Sequence, residues 1–210
     1  SLLRRDGAGS SRESAWCRPP DPQKYTGPFG LGQWSTEIYY HLLNCGLRLP
    51  PTAGSGSGVH ANPVGYNRVY VHIDGEFNYQ SWWKSLRAGR VVVTNGPLMR
   101  VSVEGRAPGH VFRTNGPDEL SLEIDLALST REKIEYLEIV RDGDVVQVIR
   151  LDEWAAAGGR LPPMVFGESG WFLLRAVTSR SDTYRFASTG PYYVQFADRS
   201  RISKSSARFF

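Results

Sequence analysis

Cysteine and long apolar runs are scarce in this chain of 210 residues. The two cysteines, Cys17 and Cys45, allow at most one bridge, which excludes the disulfide-scaffold class of small proteins. No apolar run approaches the roughly 20 residues that a membrane-spanning helix needs, and we predict no membrane partner. With 40% apolar and 22% charged residues, the chain falls in the globular range. We therefore expect a folded core, with Cys45 as a buried free thiol.

Nucleic-acid-binding motifs are missing as well. The formal net charge is +4, but basic residues alternate with acids through most of the chain. The one basic cluster, between Arg199 and Arg208, is not accompanied by an RNA-recognition, zinc-finger or helix-turn-helix signature. We predict no nucleic-acid partner.

The first part of the chain, residues 1–97, has the pattern of an extended arm followed by alternating helices and strands. Glycine, proline, serine and arginine dominate up to about Trp34, which predicts irregular structure. Ser35 as N-cap and Gly46 as stop predict a first helix. Further elements are predicted as strands at 47–49, 68–73 and 90–94 and as a helix at 79–88. This order is typical of the end of a layered or barrel domain.

Residues 98–196 instead have the two-residue period of β-strands. Between Leu120 and Leu128 apolar residues alternate with other, mostly polar ones, which predicts a half-buried strand. Asp142-Gly143 between two apolar runs predicts a hairpin. About six or seven short strands without a convincing helix favour an antiparallel β-sandwich. We expect residues 197–210 to be a basic tail that starts a truncated helix.

Four sequence runs are similar to a known family. They are residues 39–55, 62–71, 86–90 and 93–97, which read YYHLLNCGLRLPPTAGS, NPVGYNRVYV, LRAGR and VTNGP. The chain resembles the C-terminal portion of CehA/McbA-type metallohydrolases of the PHP superfamily, over about residues 34–193. The resemblance implies an α+β, mainly β fold, in which a partial PHP-like (β/α) remnant precedes an immunoglobulin-like β-sandwich. Ser1 to Arg5 contain no initiator methionine and no apolar signal segment, which predicts a fragment of a longer protein.

The metal motifs of that family are not matched here. Its late motif reads Gly-Ser-Asp-x-His, whereas Gly56 and Gly58 stand at the two ligand positions in this chain. Its early histidine motifs would lie before Ser1. Because metal ions need side-chain donors in fixed geometry, we expect no metal ligand and no catalytic residue in this chain.

The best candidate site is the loop that carries His60, Tyr66, Asn67 and Arg68. An arginine can hold a phosphate or carboxylate group bidentately, and a histidine can serve as base or ligand. We predict ligand binding at these four residues, with a small anion as the candidate partner. In the alternative interpretation, Arg68 pairs with an acid such as Asp74.

The sequence therefore favours a non-catalytic or degenerate piece of a metallohydrolase-like protein that acts as a structural or binding module. Its expected partner is the missing barrel portion of its own chain, and no cofactor is expected. One alternative is a metal-dependent ester or phosphoester hydrolase, with a divalent metal and further ligands upstream. The other is a carbohydrate-binding sandwich that uses the aromatic rings of Trp82, Trp83, Trp154 and Trp171.

Overall fold

The computed structural model describes residues 20–27, 30–58, 62–116, 118–180, 184–197 and 200–210. These ranges contain four helices, which are α1 (Gly30–Asn44), α2 (Tyr79–Arg87), α3 (Leu151–Ala156) and α4 (Lys204–Ala207). None of the helices in these ranges is long and apolar enough to cross a membrane. The strands are β1 (Arg68–Val71), β2 (Val91–Thr94), β3 (Leu98–Val103), β4 (Val111–Thr114), β5 (Leu120–Leu122), β6 (Ile124–Ser129), β7 (Ile134–Arg141), β8 (Asp144–Arg150), β9 (Met164–Phe166), β10 (Gly170–Thr178), β11 (Phe186–Thr189) and β12 (Tyr192–Phe196).

The strands form one large sheet and two smaller pairs. In the large sheet, β10 pairs with β7 on one side and with both β11 and β12 on the other. The sheet continues from β7 to β8, from β11 to β2 and β1, and from β12 to β4. The smaller pairs are β3 with β6 and β5 with β9. Only the β4–β12 pair among the described strands is parallel. The chain is mainly β, as predicted, and its antiparallel sheets are consistent with a β-sandwich.

Both faces of β10 are buried, which explains its nearly continuous apolar sequence. Phe172 and Leu174 point into the main core, where they meet residues of the two smaller strand pairs such as Val101. Trp171 and Leu173 point the other way, into a second cluster under α1. The strand therefore joins the main core to the first helix.

The predicted boundary at residue 97 lies inside a continuous set of strands. Strand β2 pairs with β11 through Thr94 and Ala187, and β1 pairs with β2. The strands before and after residue 97 thus belong to one sheet, and the division into two domains stays a prediction.

Two glycines allow separate backbone segments to touch. A Cβ atom on Gly109 would lie 1.9 Å from the carbonyl oxygen of Ala88, and one on Gly190 would lie 2.4 Å from that of Gly89. The Gly190 N–H donates to the Val91 carbonyl at 2.7 Å. The end of α2, the approach to β4 and the turn before β12 therefore pack backbone against backbone.

The hairpin between β7 and β8 forms at the predicted turn. Asp142 and Gly143 both have positive φ, 54° and 101°, as a tight two-residue hairpin turn requires. Further along, Ile139 faces Gln147 and Val140 faces Val145, so Val146 has no partner residue across the ladder. Strand β8 therefore contains a β-bulge.

Several local predictions are wrong. Helix α1 begins at Gly30 and not after Ser35, so the predicted N-cap lies inside the helix. Residues 47–49 form no strand. Helix α3 was not expected in the sandwich, although Asp152 and Glu153 stabilise its first turn. Strands β4 and β9 were also missed.

The tail contains the short helix α4, in the region where the start of a helix was predicted, and Ser203 is its N-cap. Cys45 is a half-buried free thiol, and Cys17 lies outside the described residues.

Candidate functional site

The four predicted ligand-binding residues do not share one environment. His60 lies outside the described residues. Tyr66 and Arg68 line an open groove. Asn67 instead fixes the neighbouring loop, because its N–H donates to the Ser55 hydroxyl at 3.0 Å and its side-chain amide donates to the Gly54 carbonyl at 3.1 Å.

We name this cavity of about 730 Å³ the arginine groove. Its volume falls in the range of small-molecule sites. It lies where the start of β1 meets the turn after β2 and the loop between β6 and β7. The residues that matter for its chemistry are Tyr66, Arg68, Tyr70, Arg131, Glu132 and Arg185.

Backbone carbonyls hold Arg68 in the groove. Arg68 is opposite Thr94 in the β1–β2 ladder, and its guanidinium donates to the carbonyls of Gly65 at 3.1 Å and Gly96 at 3.4 Å. The alternative pairing of Arg68 with Asp74 does not occur. The carboxyl group of Asp74 instead accepts a hydrogen bond from His72 and pairs with Arg90. Both contacts lower the pKa of this carboxyl group, and the hydrogen bond from His72 has the largest effect.

The turn Thr94-Asn95-Gly96-Pro97 lies beside the groove, which Asn95 and Gly96 line. The Thr94 hydroxyl donates to the Pro97 carbonyl at 2.6 Å. The side-chain amide of Asn95 donates to the Tyr184 carbonyl at 2.9 Å, and its oxygen accepts from the Phe186 N–H at 2.9 Å. These bonds fix the position of Gly96 beside Arg185. A Cβ atom on Gly96 would lie 3.3 Å from that of Arg185.

Glu132 forms ion pairs with two arginines at the side of the groove. Oε1 of Glu132 lies 2.8 Å from Nη1 of Arg185 and 3.3 Å from Nη1 of Arg180. The Arg185 guanidinium lies 5.5 Å from the centre of the Tyr66 ring, within cation–π range. Arg185 is thereby oriented by an acid and an aromatic ring at once.

Three polar atoms of the groove are buried without a hydrogen-bond partner in the part of the chain that the structure describes. They are Nε of Arg68, Nε of Arg185 and Oε2 of Glu132. Buried polar atoms are nearly always paired, so each exception calls for an explanation. Arg68, Arg131 and Arg185 also outnumber Glu132 among the charged lining residues. The groove therefore has an excess of positive charge, and two of its arginines have a buried Nε–H without an acceptor among the described residues.

A second polar cluster holds α1 to its surroundings. Glu37 accepts from Lys24 at 2.8 Å and from the Tyr25 hydroxyl. The burial of Glu37 works to raise its pKa, but these two hydrogen bonds outweigh it and lower the pKa. His41 lies 3.7 Å from Glu37 through Nε2 and 3.0 Å from the Ser206 hydroxyl through Nδ1, which joins α1 to α4. Within the described residues, no three His, Cys, Asp or Glu side chains are grouped to hold a metal ion.

The four tryptophans of the carbohydrate alternative lie apart. Trp171 is 3% exposed and donates from its ring nitrogen to Asn44. Trp154 packs against the main core. Trp82 and Trp83 contact each other edge to face on α2, with ring centres 5.0 Å apart. Burial makes Trp171 unsuitable for sugar stacking.

Comparisons with known proteins give little further information. The chain matches no protein-family model and no curated protein. Among solved structures it is similar to the fibronectin(III)-like modules of Clostridium thermocellum CbhA, with 16% identity over 46% of this chain and 98% of that chain and a TM-score of 0.29. A similarity at this level carries no argument about fold or function. What the strand pairing itself establishes is a mainly β chain with sheets consistent with a sandwich.

Proposed function

We propose that this chain is a non-catalytic binding module of a metallohydrolase-like protein, and that the arginine groove receives a small anionic ligand. The observation that carries this proposal is the convergence of Arg68, Arg131 and Arg185 on one groove with a single acid, Glu132. An anion would accept from guanidinium donors that now lack partners, and charge-assisted hydrogen bonds of this kind are the strong ones.

The glycine-rich loop supports the non-catalytic part of the proposal. Gly56 and Gly58 have φ values of 61° and 92°, a backbone region that residues with a Cβ rarely adopt. An aspartate or histidine ligand at Gly58 would be strained. The loop conformation therefore agrees with its lack of metal-binding side chains.

We further propose that residues 1–97 are the end of a PHP-like barrel, that residues 98–196 form an immunoglobulin-like sandwich, and that the partner is the remaining barrel portion of the same chain. The four sequence runs quoted above support the family. Phe77 and Tyr79 support the partner, because they lie two residues apart and are 74% and 77% exposed, and aromatic side chains exposed in this way are typical of covered surfaces.

Anion titrations test the groove. Inorganic phosphate, sulfate, acetate and citrate would be titrated into the chain at low salt and followed by calorimetry. We expect at least one of them to saturate a single site, and Arg68→Met to weaken that binding by about tenfold or more, because a charge-assisted hydrogen bond is lost.

Arg160→Met is the matched control, because Arg160 is exposed and does not line the groove. The proposal fails if no anion saturates, or if Arg68→Met and Arg160→Met bind alike. Hydrolysis of esters by the purified chain with added zinc or manganese would instead favour the metal-dependent alternative.

A further inference from the structure

The unpartnered atoms of the arginine groove are of two kinds. Nε of Arg68 and Nε of Arg185 are donors, whereas Oε2 of Glu132 is an acceptor. From this set we infer that the groove selects a phosphoryl group that keeps a proton over anions of similar shape that carry none. This inference rests on the proposed anion site and specifies the chemistry of its ligand.

The donors alone would accept any oxyanion. Arg68, Arg131 and Arg185 attract negative charge. Arg68 and Arg185 each also have a buried Nε–H without an acceptor in the described part of the chain, which could donate to an oxyanion if the side chain turns toward it. Sulfate, phosphate and carboxylate all satisfy such donors. The arginines therefore provide affinity for anions but do not distinguish between them.

The acceptor provides the distinction. Oε1 of Glu132 already pairs with Arg180 and Arg185, whereas Oε2 accepts no hydrogen bond from the residues that the structure describes. A fully ionised anion would place a negatively charged oxygen beside Oε2. The two oxygens would repel each other, and neither could donate a hydrogen bond. A P–OH group would donate to Oε2 while the other phosphoryl oxygens accept from the arginines. Sulfate and carboxylate ions have no proton to donate at neutral pH.

Glu132 and Arg185 pack closely against Gly96. A Cβ atom there would lie 3.7 Å from Oε2 of Glu132 and 3.3 Å from Cβ of Arg185, so a side chain at this position would crowd both residues. The side chains of Glu132 and Arg185 are 21% and 27% exposed, which lets them turn toward a ligand in the groove.

Competing phosphate and sulfate titrations test the inference. Both ions would be titrated into the full chain at neutral pH and equal ionic strength. We expect phosphate to bind at least about tenfold more tightly, since a hydrogen bond to a charged group is gained by phosphate alone. In Glu132→Gln the amide can donate to either ion, so the two affinities should come within about threefold of each other.

The control variant is Glu153→Gln, an exposed acid on α3 outside the groove, which should keep the preference for phosphate. Equal binding of the two ions to the native chain, or an unchanged preference in Glu132→Gln, overturns the inference but leaves the anion site standing. Binding of neither ion overturns both.

A phosphomonoester gives a second measurement that needs no variant. Phenyl phosphate loses its remaining P–OH proton with a pKa of about 6, so its charge rises as its donor disappears. We expect its affinity to fall from about pH 5 to about pH 7, whereas charge attraction alone would make it rise. The titratable and charged groups that face the ligand are Tyr66, Arg68, Tyr70, Arg131, Glu132 and Arg185, with no histidine among the described lining residues. A rising affinity overturns the inference.

Discussion

His110 lies just before β4, half-buried and beside the ring of Phe112, with ring centres 4.7 Å apart. Burial lowers the pKa of this histidine below its ordinary value of 6.5, and the positive charges of Arg106, Arg113 and Arg90 lower it further. The folded protein therefore favours the neutral ring. A proton taken up at this position weakens the fold.

The pH dependence of stability follows from that shift. Between the folded pKa of His110 and 6.5, the unfolded chain binds more protons than the folded one. The contribution of His110 is thus complete above about pH 6.5 and is lost as the pH falls through the folded pKa. We expect His110→Gln to lose less free energy of unfolding between about pH 7 and pH 5 than the native chain does.

Denaturant titrations at several pH values, with the ring signal followed by NMR, would measure this effect. Glu37 and Asp74 also have lowered pKa values, but their contributions are lost only below their ordinary values of 4.5 and 3.8. A His110 ring that titrates at or above 6.5, or equal slopes in the two proteins, would contradict the prediction.

Among the structural elements, α1 is tied to the hairpin by the side chain of Asn44. Its amide donates to the Asp142 carbonyl at 2.9 Å, and its oxygen accepts from the Trp171 ring nitrogen at 2.8 Å. Its backbone carbonyl also accepts from the Ser203 N–H at 2.8 Å. One residue at the end of a helix thereby connects the hairpin turn, the central strand and the tail.

Asn44→Ala should be strongly destabilising. The variant loses two side-chain hydrogen bonds and leaves the ring N–H of the buried Trp171 without an acceptor, which together cost about 2–3 kcal/mol of the free energy of unfolding. Asn115→Ala is the control, because Asn115 is exposed in the loop after β4. Chemical denaturation would measure both variants. Losses that agree within about 0.5 kcal/mol would show that the contacts of Asn44 contribute little.

Local patterns in the sequence were enough to predict the hairpin at Asp142-Gly143 and the alternating strand from Leu120, although that strand breaks at Glu123. They were not enough to predict the groove. Arg68 was identified, but Glu132 and Arg185 were missed, because only the β2–β11 pairing and the Asn95 bonds bring these distant residues together. Pairings between distant strands depend on the packed fold and leave no periodic signal in the sequence.

For the whole molecule, the shared sheet couples the strands before residue 97 to those after it. Strand β2 is hydrogen-bonded on both sides, to β1 and to β11, and β11 is paired in turn with β10. The glycine contacts of Gly109 and Gly190 add close backbone packing at the same place. Opening β2 therefore exposes one side of β11.

Native-state hydrogen exchange would test this coupling. We expect the amides of Val92 and Val93 in β2 to exchange through the same high-energy opening as those of Leu173 and Leu174 in β10. Amides of the short helix α3, which has no buried residue, should exchange faster and serve as the internal control. Exchange of β2 through a lower-energy opening that leaves β10 protected would show that the two parts unfold separately.

The bulge at Val146 bears on the behaviour of many copies of the chain at high concentration. Val145, Val146 and Val148 are 45%, 47% and 59% exposed on β8, which pairs with β7 alone among the described strands. A straight strand with such side chains would be a template for fibril growth. The extra residue bends and twists the strand, so a neighbouring molecule cannot continue the ladder along its full length. We therefore expect the solubility of the folded protein to depend in part on a single unpaired valine.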